Sequence, residues 1–115
     1  MTQQSEVSSL HAATISVVVP TFNHAKFLNQ ALQSIIEQSH QNWEAIIVNN
    51  FSTDNTLQII ESFNEPRFKV VNFQNNGVIA ASRNEGIRRS SAPFIAFLDS
   101  DDIWYSEKLS RCLVE

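Results

Sequence analysis

Glycine is almost absent from this 115-residue sequence, with only Gly77 and Gly86 present. That scarcity excludes two kinds of phosphate site. Neither a G-x-G-x-x-G dinucleotide turn nor a P-loop can be written with these two residues. A phosphate bound here must be held by side chains or through a metal. Cysteine is nearly missing too. Cys112 stands alone, without a disulfide partner or neighbours at zinc spacing. It is expected to be a buried or half-buried structural thiol, and a lone cysteine without a secretion signal fits a reducing cytoplasm. Basic runs are lacking and the net charge is −4. That argues against a nucleic-acid partner, whose phosphates demand a basic stripe. No apolar run approaches the roughly 20 residues that span a bilayer, so any membrane contact is expected to be peripheral.

Hydrophobic residues make up 43% of the chain and charged residues 17%, the balance of one globular domain with a modest core. Residues 1–13 are polar and carry no basic or apolar signal region, so they read as a flexible tail before a domain at 14–115. From Ile15 onward, short apolar runs alternate with helix-period segments. Ile15 to Val19 is a β-branched strand ending at Pro20. Phe27, Leu28, Ala31, Leu32, Ile35 and Ile36 then form one face of a helix, with Asn23 as its expected N-cap. A strand over 43–48 leads to Ser52-Thr53-Asp54, capping residues for a helix that turns Leu57, Ile60 and Phe63 inward. Pro66 closes that region. A strand over 68–73, the turn Asn76-Gly77 and a helix over 78–89 follow. The small residues Ala80, Ala81 and Gly86 let that helix lie close to a sheet. After Pro93 come a strand over 94–98 and a last helix over 104–114. The β-α alternation predicts an α/β fold: three layers, a mostly parallel sheet with helices on both faces, Rossmann-like. The apolar strands suggest cover on both sides.

Parallel strands bring their carboxyl ends to one rim, where open α/β sheets bind ligands. Thr21, Asn23 and His24 follow the first strand. Asn49, Asn50, Ser52 and Asp54 follow the second, Gln74, Asn75 and Asn76 the third, and Asp99, Asp101 and Asp102 the fourth. Three carboxylates within four residues repel one another. A solvated turn capping the next helix accounts for most such clusters. At this rim, a hard cation held by oxygen ligands, Mn²⁺ or Mg²⁺, is the sharper reading, with open positions for substrate phosphates. Arg83 or Lys26 is the candidate phosphate-side cation. His11, His24 and His40 are scattered and read as surface residues. Trp43 and Trp104 read as packing residues, Trp104 near enough to the acids to border a pocket.

An ordered set of segments resembles the family 2 glycosyltransferases of the GT-A fold. It runs through Ile15-Ser16-Val17-Val18-Val19-Pro20-Thr21-Phe22-Asn23, Ala31-Leu32-Gln33-Ser34-Ile35 and Asn49-Asn50-Phe51-Ser52-Thr53-Asp54-Asn55-Thr56. It continues through Asn76-Gly77, Ala80-Ala81-Ser82-Arg83-Asn84-Glu85-Gly86 and Phe97-Leu98-Asp99-Ser100-Asp101-Asp102-Ile103-Trp104. Each piece is weak alone, but the ordered set is specific. The resemblance implies that Pro20, Thr21, Phe22 and Asn23 form a nucleotide-contacting loop. It implies that Arg83 lies near ribose and diphosphate, and that Asp99-Ser100-Asp101 is an Asp-x-Asp motif contacting the ribose and holding the metal, with Asp102 in support. Asn49 and Asn50 stand where the family usually has an acidic pair, one member of which bonds uracil. An amide both donates and accepts, without the charge that strengthens a carboxylate's bond. A UDP-sugar is the first expected ligand, with other bases open.

The implied reaction is transfer of a sugar to an acceptor hydroxyl. A general base usually lies in the second half of such a domain, and the sequence stops about a dozen residues after Asp102. The acceptor site and base are therefore expected to be missing. The alternative expectation is an inert remnant or assembly module that needs a partner chain, self-associating through an uncovered sheet edge. A haloacid-dehalogenase-like phosphatase or a receiver domain fits poorly, because their acids follow the first strand and these follow the fourth.

Overall fold

The computed structural model describes residues 13–114. The tail expected at 1–13 lies, except for Ala13, outside the described residues. Among the described residues, four strands and four helices alternate: β1 (Ile15–Thr21), α1 (Ala25–Ile36), β2 (Trp43–Asn49), α2 (Thr56–Ser62), β3 (Phe68–Asn72), α3 (Ile79–Arg89), β4 (Phe94–Phe97) and α4 (Lys108–Val114). The strands form one parallel sheet in the order β3-β2-β1-β4. β1 pairs with β2 from Ile15 opposite Trp43 to Thr21 opposite Asn49, and with β4 from Ile15 opposite Phe94 to Val18 opposite Phe97.

Period-2 alternation divides the core between the two faces. Val17, Val19, Ala45 and Ile47 pack on one side against Leu28, Ala31, Leu32 and Ile35 of α1, Ile60 of α2 and Leu109 of α4. Val18, Ile46 and Val48 point the other way, with Val71, Phe73 and Ile95 beside them. Among the described residues, α3 is the helix that packs on that second face. A Cβ built on its Gly86 would collide with Val18 Cγ1, so glycine sets how closely the helix approaches. The split follows from right-handed crossovers. The chain moves one way from β1 to β3 and then back across to β4, which sends α3 to the opposite side.

Several expectations are corrected here. Cover on both faces holds for β1 and β2, which are buried throughout, and fails at the edges, where Phe94 is 57% exposed and Phe97 44%. Phe27 and Leu57 are exposed, each about 100° around its helix from the inward line of Leu28-Ala31-Leu32-Ile35 or Thr56-Ile60. Phe63 does pack inward, edge-on to Phe68. The last helix begins at Lys108, not near Trp104. Cys112 is exposed, because Leu109 and Leu113 take the inward line of α4.

The end of the sheet where strands begin contains one buried acid. Glu44 of β2 accepts at Oε2 from Ser16 Oγ and from Ser91 N and Oγ at 2.8 and 3.0 Å, and at Oε1 from Lys69 Nζ at 2.8 Å. Burial alone would raise its pKa. The bonds from Lys69, Ser16 and Ser91 outweigh that and hold the carboxyl down to about 2.

Candidate functional site

The chain leaves β1 toward β2 on one side and returns to β4 on the other. The rim therefore has its switch point between β1 and β4, where open α/β sheets form ligand crevices. A cleft of about 450 Å³ opens there. Its walls bring together Pro20, Thr21 and Phe22 after β1, Asn50 after β2, Arg83 of α3, and Asp99, Ser100 and Asp101 after β4. His24, Asn75, Gly77 and Ile79 complete it.

The loops that carry these residues are bonded to one another. Asn50 and Asn75 are reciprocal partners: Asn50 Nδ2 donates to Asn75 Oδ1 at 2.9 Å, and Asn75 N donates to Asn50 Oδ1 at 3.1 Å. Asn75 Nδ2 reaches Ser82 Oγ at 2.8 Å, which ties the third loop to α3. Asn76 and Gly77, at φ 53° and 82°, make the tight turn that Asn-Gly implies. After β4, Asp102 N donates to Asp99 O at 3.0 Å and closes a turn. Ser100, at the turn's first corner, is buried and meets His24 Nδ1 at 2.7 Å. Asp99 and Asp101 flank it and both line the cleft.

Three residues expected at the ligand make hydrogen bonds within the loops and lie outside the cleft wall. Asn23 does not cap α1 through its side chain, and the N-cap position is His24. Left-handed backbone at Asn23 (φ 52°) carries its Oδ1 across to Thr53 N at 2.7 Å and Asp54 N at 3.3 Å. Asp54 does the capping for both neighbouring helices, accepting from Ala25 N at 3.1 Å and from Thr56 N at 3.1 Å. The Thr56 hydroxyl, chiefly, lowers its pKa. Asn49 is buried outside the cleft wall, where its Oδ1 accepts from Ser52 and its Nδ2 donates to Asn72. Asp102 also lies outside the wall, because its Oδ1 turns back to Ile103 N at 3.0 Å. Among the described residues, no three His, Cys, Asp or Glu side chains are grouped to hold a metal ion, and Asp99 and Asp101 line the cleft while Asp102 does not.

Other residues move as well. Trp104 lines a separate hollow with Tyr105 and Arg111. Lys26 stays outside the cleft, its ammonium 5.8 Å from the Phe27 ring. His24, read as a surface residue, is a cleft residue. Its only sequence signal was its place after β1.

Arg83 Nη2 donates to Asp99 Oδ1 at 3.0 Å, with side chains 40% and 55% exposed. Such a pair contributes little to stability but aims a cation and an anion into one cleft. Polar capacity remains unused. Among the described residues, four buried side-chain atoms lack a partner, and two of them, Arg83 Nε and Thr21 Oγ1, belong to residues of the cleft wall, with Thr21 only 4% exposed. The Asp101 carboxylate accepts no hydrogen bond from the described residues.

The model of glycosyl transferase family 2 matches residues 16–114. TuaG of Bacillus subtilis (strain 168), a glycosyltransferase named for teichuronic acid biosynthesis, is 37% identical over 101 residues, which is 86% of this chain and 40% of TuaG. S. aureus TarS, solved in complex with UDP-GlcNAc, superposes with a TM-score of 0.81 at 32% identity, over 88% of this chain and 30% of TarS. The mannosyltransferase PcManGT from Pyrobaculum calidifontis, solved with GDP-Man and Mn²⁺, shares the fold at a TM-score of 0.79 and 23% identity, over 87% of this chain and 31% of its own. The chain thus spans 40% or less of each of these proteins. Among the described residues, no helix is long and apolar enough to cross a membrane. With the GT-A sheet, the switch-point cleft and a family match over nearly every described residue, this chain belongs to the family 2 glycosyltransferases.

Proposed function

We propose that this chain binds a nucleoside-diphosphate sugar, a UDP-sugar first, together with Mn²⁺ or Mg²⁺, for transfer of the sugar to an acceptor hydroxyl. One observation carries the reading. Thr21, Asn50, Arg83, Asp99 and Asp101 converge on a single cleft at the switch point, with hydrogen-bonding capacity left over. The UDP-GlcNAc bound by TarS and the Mn²⁺ in PcManGT are in keeping with it.

Each wall has a task under this reading. Asp101 and Asp99 would hold the cation, and their oxygen-only donors suit a hard ion whose remaining positions are filled by diphosphate oxygens and water. The bound ion supplies positive charge against the charge that develops on the leaving diphosphate. Arg83 adds its own charge and a free Nε donor on the same side. Pro20, Thr21 and Phe22 border the nucleoside, with the Thr21 hydroxyl available to it. Asn50 meets the base with an amide already oriented by Asn75, while Ser100 fixes the turn between the two acids. Asn23 and Asn49 act at one remove, by holding the loops. The single cysteine fits a cytoplasmic setting.

Calorimetry of the full chain with UDP, with and without Mn²⁺, tests the proposal. Binding that strengthens with Mn²⁺ is the expected result, and no heat from folded protein in either titration overturns it. A second reading, an assembly module, draws on the exposed Phe94 and Phe97 of edge strand β4. Sedimentation decides it, since a monomer at high concentration removes that reading.

A further inference from the structure

Phe51 adopts a backbone conformation that its own packing does not explain. Among the described residues, four non-glycine residues have positive φ: Asn23, Phe51, Asn64 and Asn76. Asparagine enters the left-handed region readily, since its short amide can bond the local backbone. A phenylalanine has no such compensation. Phe51 sits there at φ 50°, yet its ring is 57% exposed and joins neither core cluster. No ring-to-ring contact to it occurs among the described residues. Strain kept for a ring that faces solvent points to function rather than to burial.

The surroundings indicate the ligand. Phe51 lines a groove of about 350 Å³ with Phe22, Asn50, Gln74 and Asn76. The groove runs into the main cleft through Phe22 and Asn50, which line both. Phe22 is itself 50% exposed. The lining is two aromatic rings and three side-chain amides, with no charged group. That chemistry does not suit a phosphate, which would seek the Arg83 side of the cleft. It suits a flat heterocycle, with π faces for its ring and amides for its N–H and C=O edges.

We infer that Phe51 is a stacking platform for the nucleobase, in a side groove of the cleft that it shares with Phe22. The inference rests on the nucleotide reading above and adds the residue that grips the base. It separates the two ends of the ligand: base at Phe51, diphosphate at Arg83 and the acids.

The test compares wild type, Phe51→Gly and Phe51→Tyr in the full chain, titrated with UDP and separately with inorganic pyrophosphate, both with Mn²⁺. Phe51→Gly is expected to weaken UDP binding roughly 5- to 150-fold, the range of one aromatic–base stack, and to leave pyrophosphate binding unchanged. Phe51→Tyr keeps the ring and restores UDP binding. Phe51→Gly should melt no lower than wild type, because glycine relieves the positive φ. Unchanged UDP affinity in Phe51→Gly, or equal losses for UDP and pyrophosphate, overturns the inference alone. So does a large fall in its melting temperature, which would make the ring a packing residue. Wild-type protein that binds neither ligand overturns the nucleotide reading and this inference with it.

Discussion

The two ends of this sheet use similar polar residues in different settings. Where the strands begin, the Glu44 carboxylate is buried and fully bonded by Ser16, Lys69 and Ser91. Where they end, Thr21 Oγ1 and Arg83 Nε are buried and unpaired, and Asp99 and Asp101 face an open cleft. An unsatisfied buried polar atom costs about 1–3 kcal/mol. Among the described residues, Trp43 Nε1 and His40 Nε2, at and just before the start of β2, are also buried without a partner, so open bonding capacity is not confined to the rim. What the rim adds is a cleft that Thr21 and Arg83 line. On the proposed reading, the Glu44 network serves stability and the rim serves recognition.

The largest effect expected from this contrast is at Glu44. Glu44→Ala leaves the buried Ser16 hydroxyl and the part-buried Ser91 N and Oγ without their acceptor, at about 1–3 kcal/mol for each orphaned group, while the half-exposed Lys69 regains water. The loss is read from urea unfolding, with UDP affinity of the folded protein unchanged. The sign of the pH dependence follows from the depressed pKa. A folded value of about 2 against an ordinary 4.5 means the stabilisation is complete above pH 4.5 and is lost as pH falls through 2. Urea midpoints between pH 5 and pH 2 should therefore fall less steeply in Glu44→Gln than in wild type. Equal slopes would separate Glu44 from acid stability.

At the rim the same kind of change should do the reverse. Asp101→Asn removes an exposed carboxylate with no hydrogen-bond partner among the described residues, so its melting temperature should stay within about 2–4 °C of wild type's, since surface changes are usually within ±0.5 kcal/mol. Mn²⁺-linked UDP affinity should drop roughly tenfold to a hundredfold, the loss of one interaction to a charged group. Calorimetry with and without Mn²⁺ checks this, and a stability loss without an affinity loss breaks the contrast. Gly86→Ala, midway between the ends, gives an internal reference. Its Cβ meets Val18 in the fully buried centre of β1. Overpacking costs about 1–3 kcal/mol, against roughly 1 kcal/mol returned by alanine's helix propensity. Thermal melting should show net destabilisation with no change specific to the metal.

Much of this was readable from the residues, for identifiable reasons. The Ile15–Val19 run and the 28-31-32-35 spacing are strong periodic signals, and the β-α alternation implies the parallel rim. What did not show was which rim side chains face the cleft and which bind loops, since asparagine serves either purpose equally well. Asn49 did carry a signal. It continues the Ala45-Ile47 parity of β2 and so turns to the face covered by α1 and α2, while Asn50 is free to line the cleft. Asp102 and Asp101 differ only by a turn that closes on Asp99 N-terminal to both, which composition cannot reveal. The position of His24 after β1 was readable, but its bond to Ser100 was not, because the two are 76 residues apart in sequence.

His24 gives the smallest expected effect and the finest test of how the rim is held. Its Nδ1 meets Ser100 Oγ at 2.7 Å, and Ser100 sits between the two acids. If that bond sets the turn, His24→Ala should weaken Mn²⁺-linked UDP binding by roughly fivefold, the equivalent of about 1 kcal/mol for one hydrogen bond. His24→Asn, which can place a polar atom near the Nδ1 position, should recover most of it. Ser100→Ala should lose as much as His24→Ala, and the double variant no more than either, since both remove the same bond. Additive losses would mean that the Asp102–Asp99 backbone bond holds the turn unaided and that His24 touches the ligand itself.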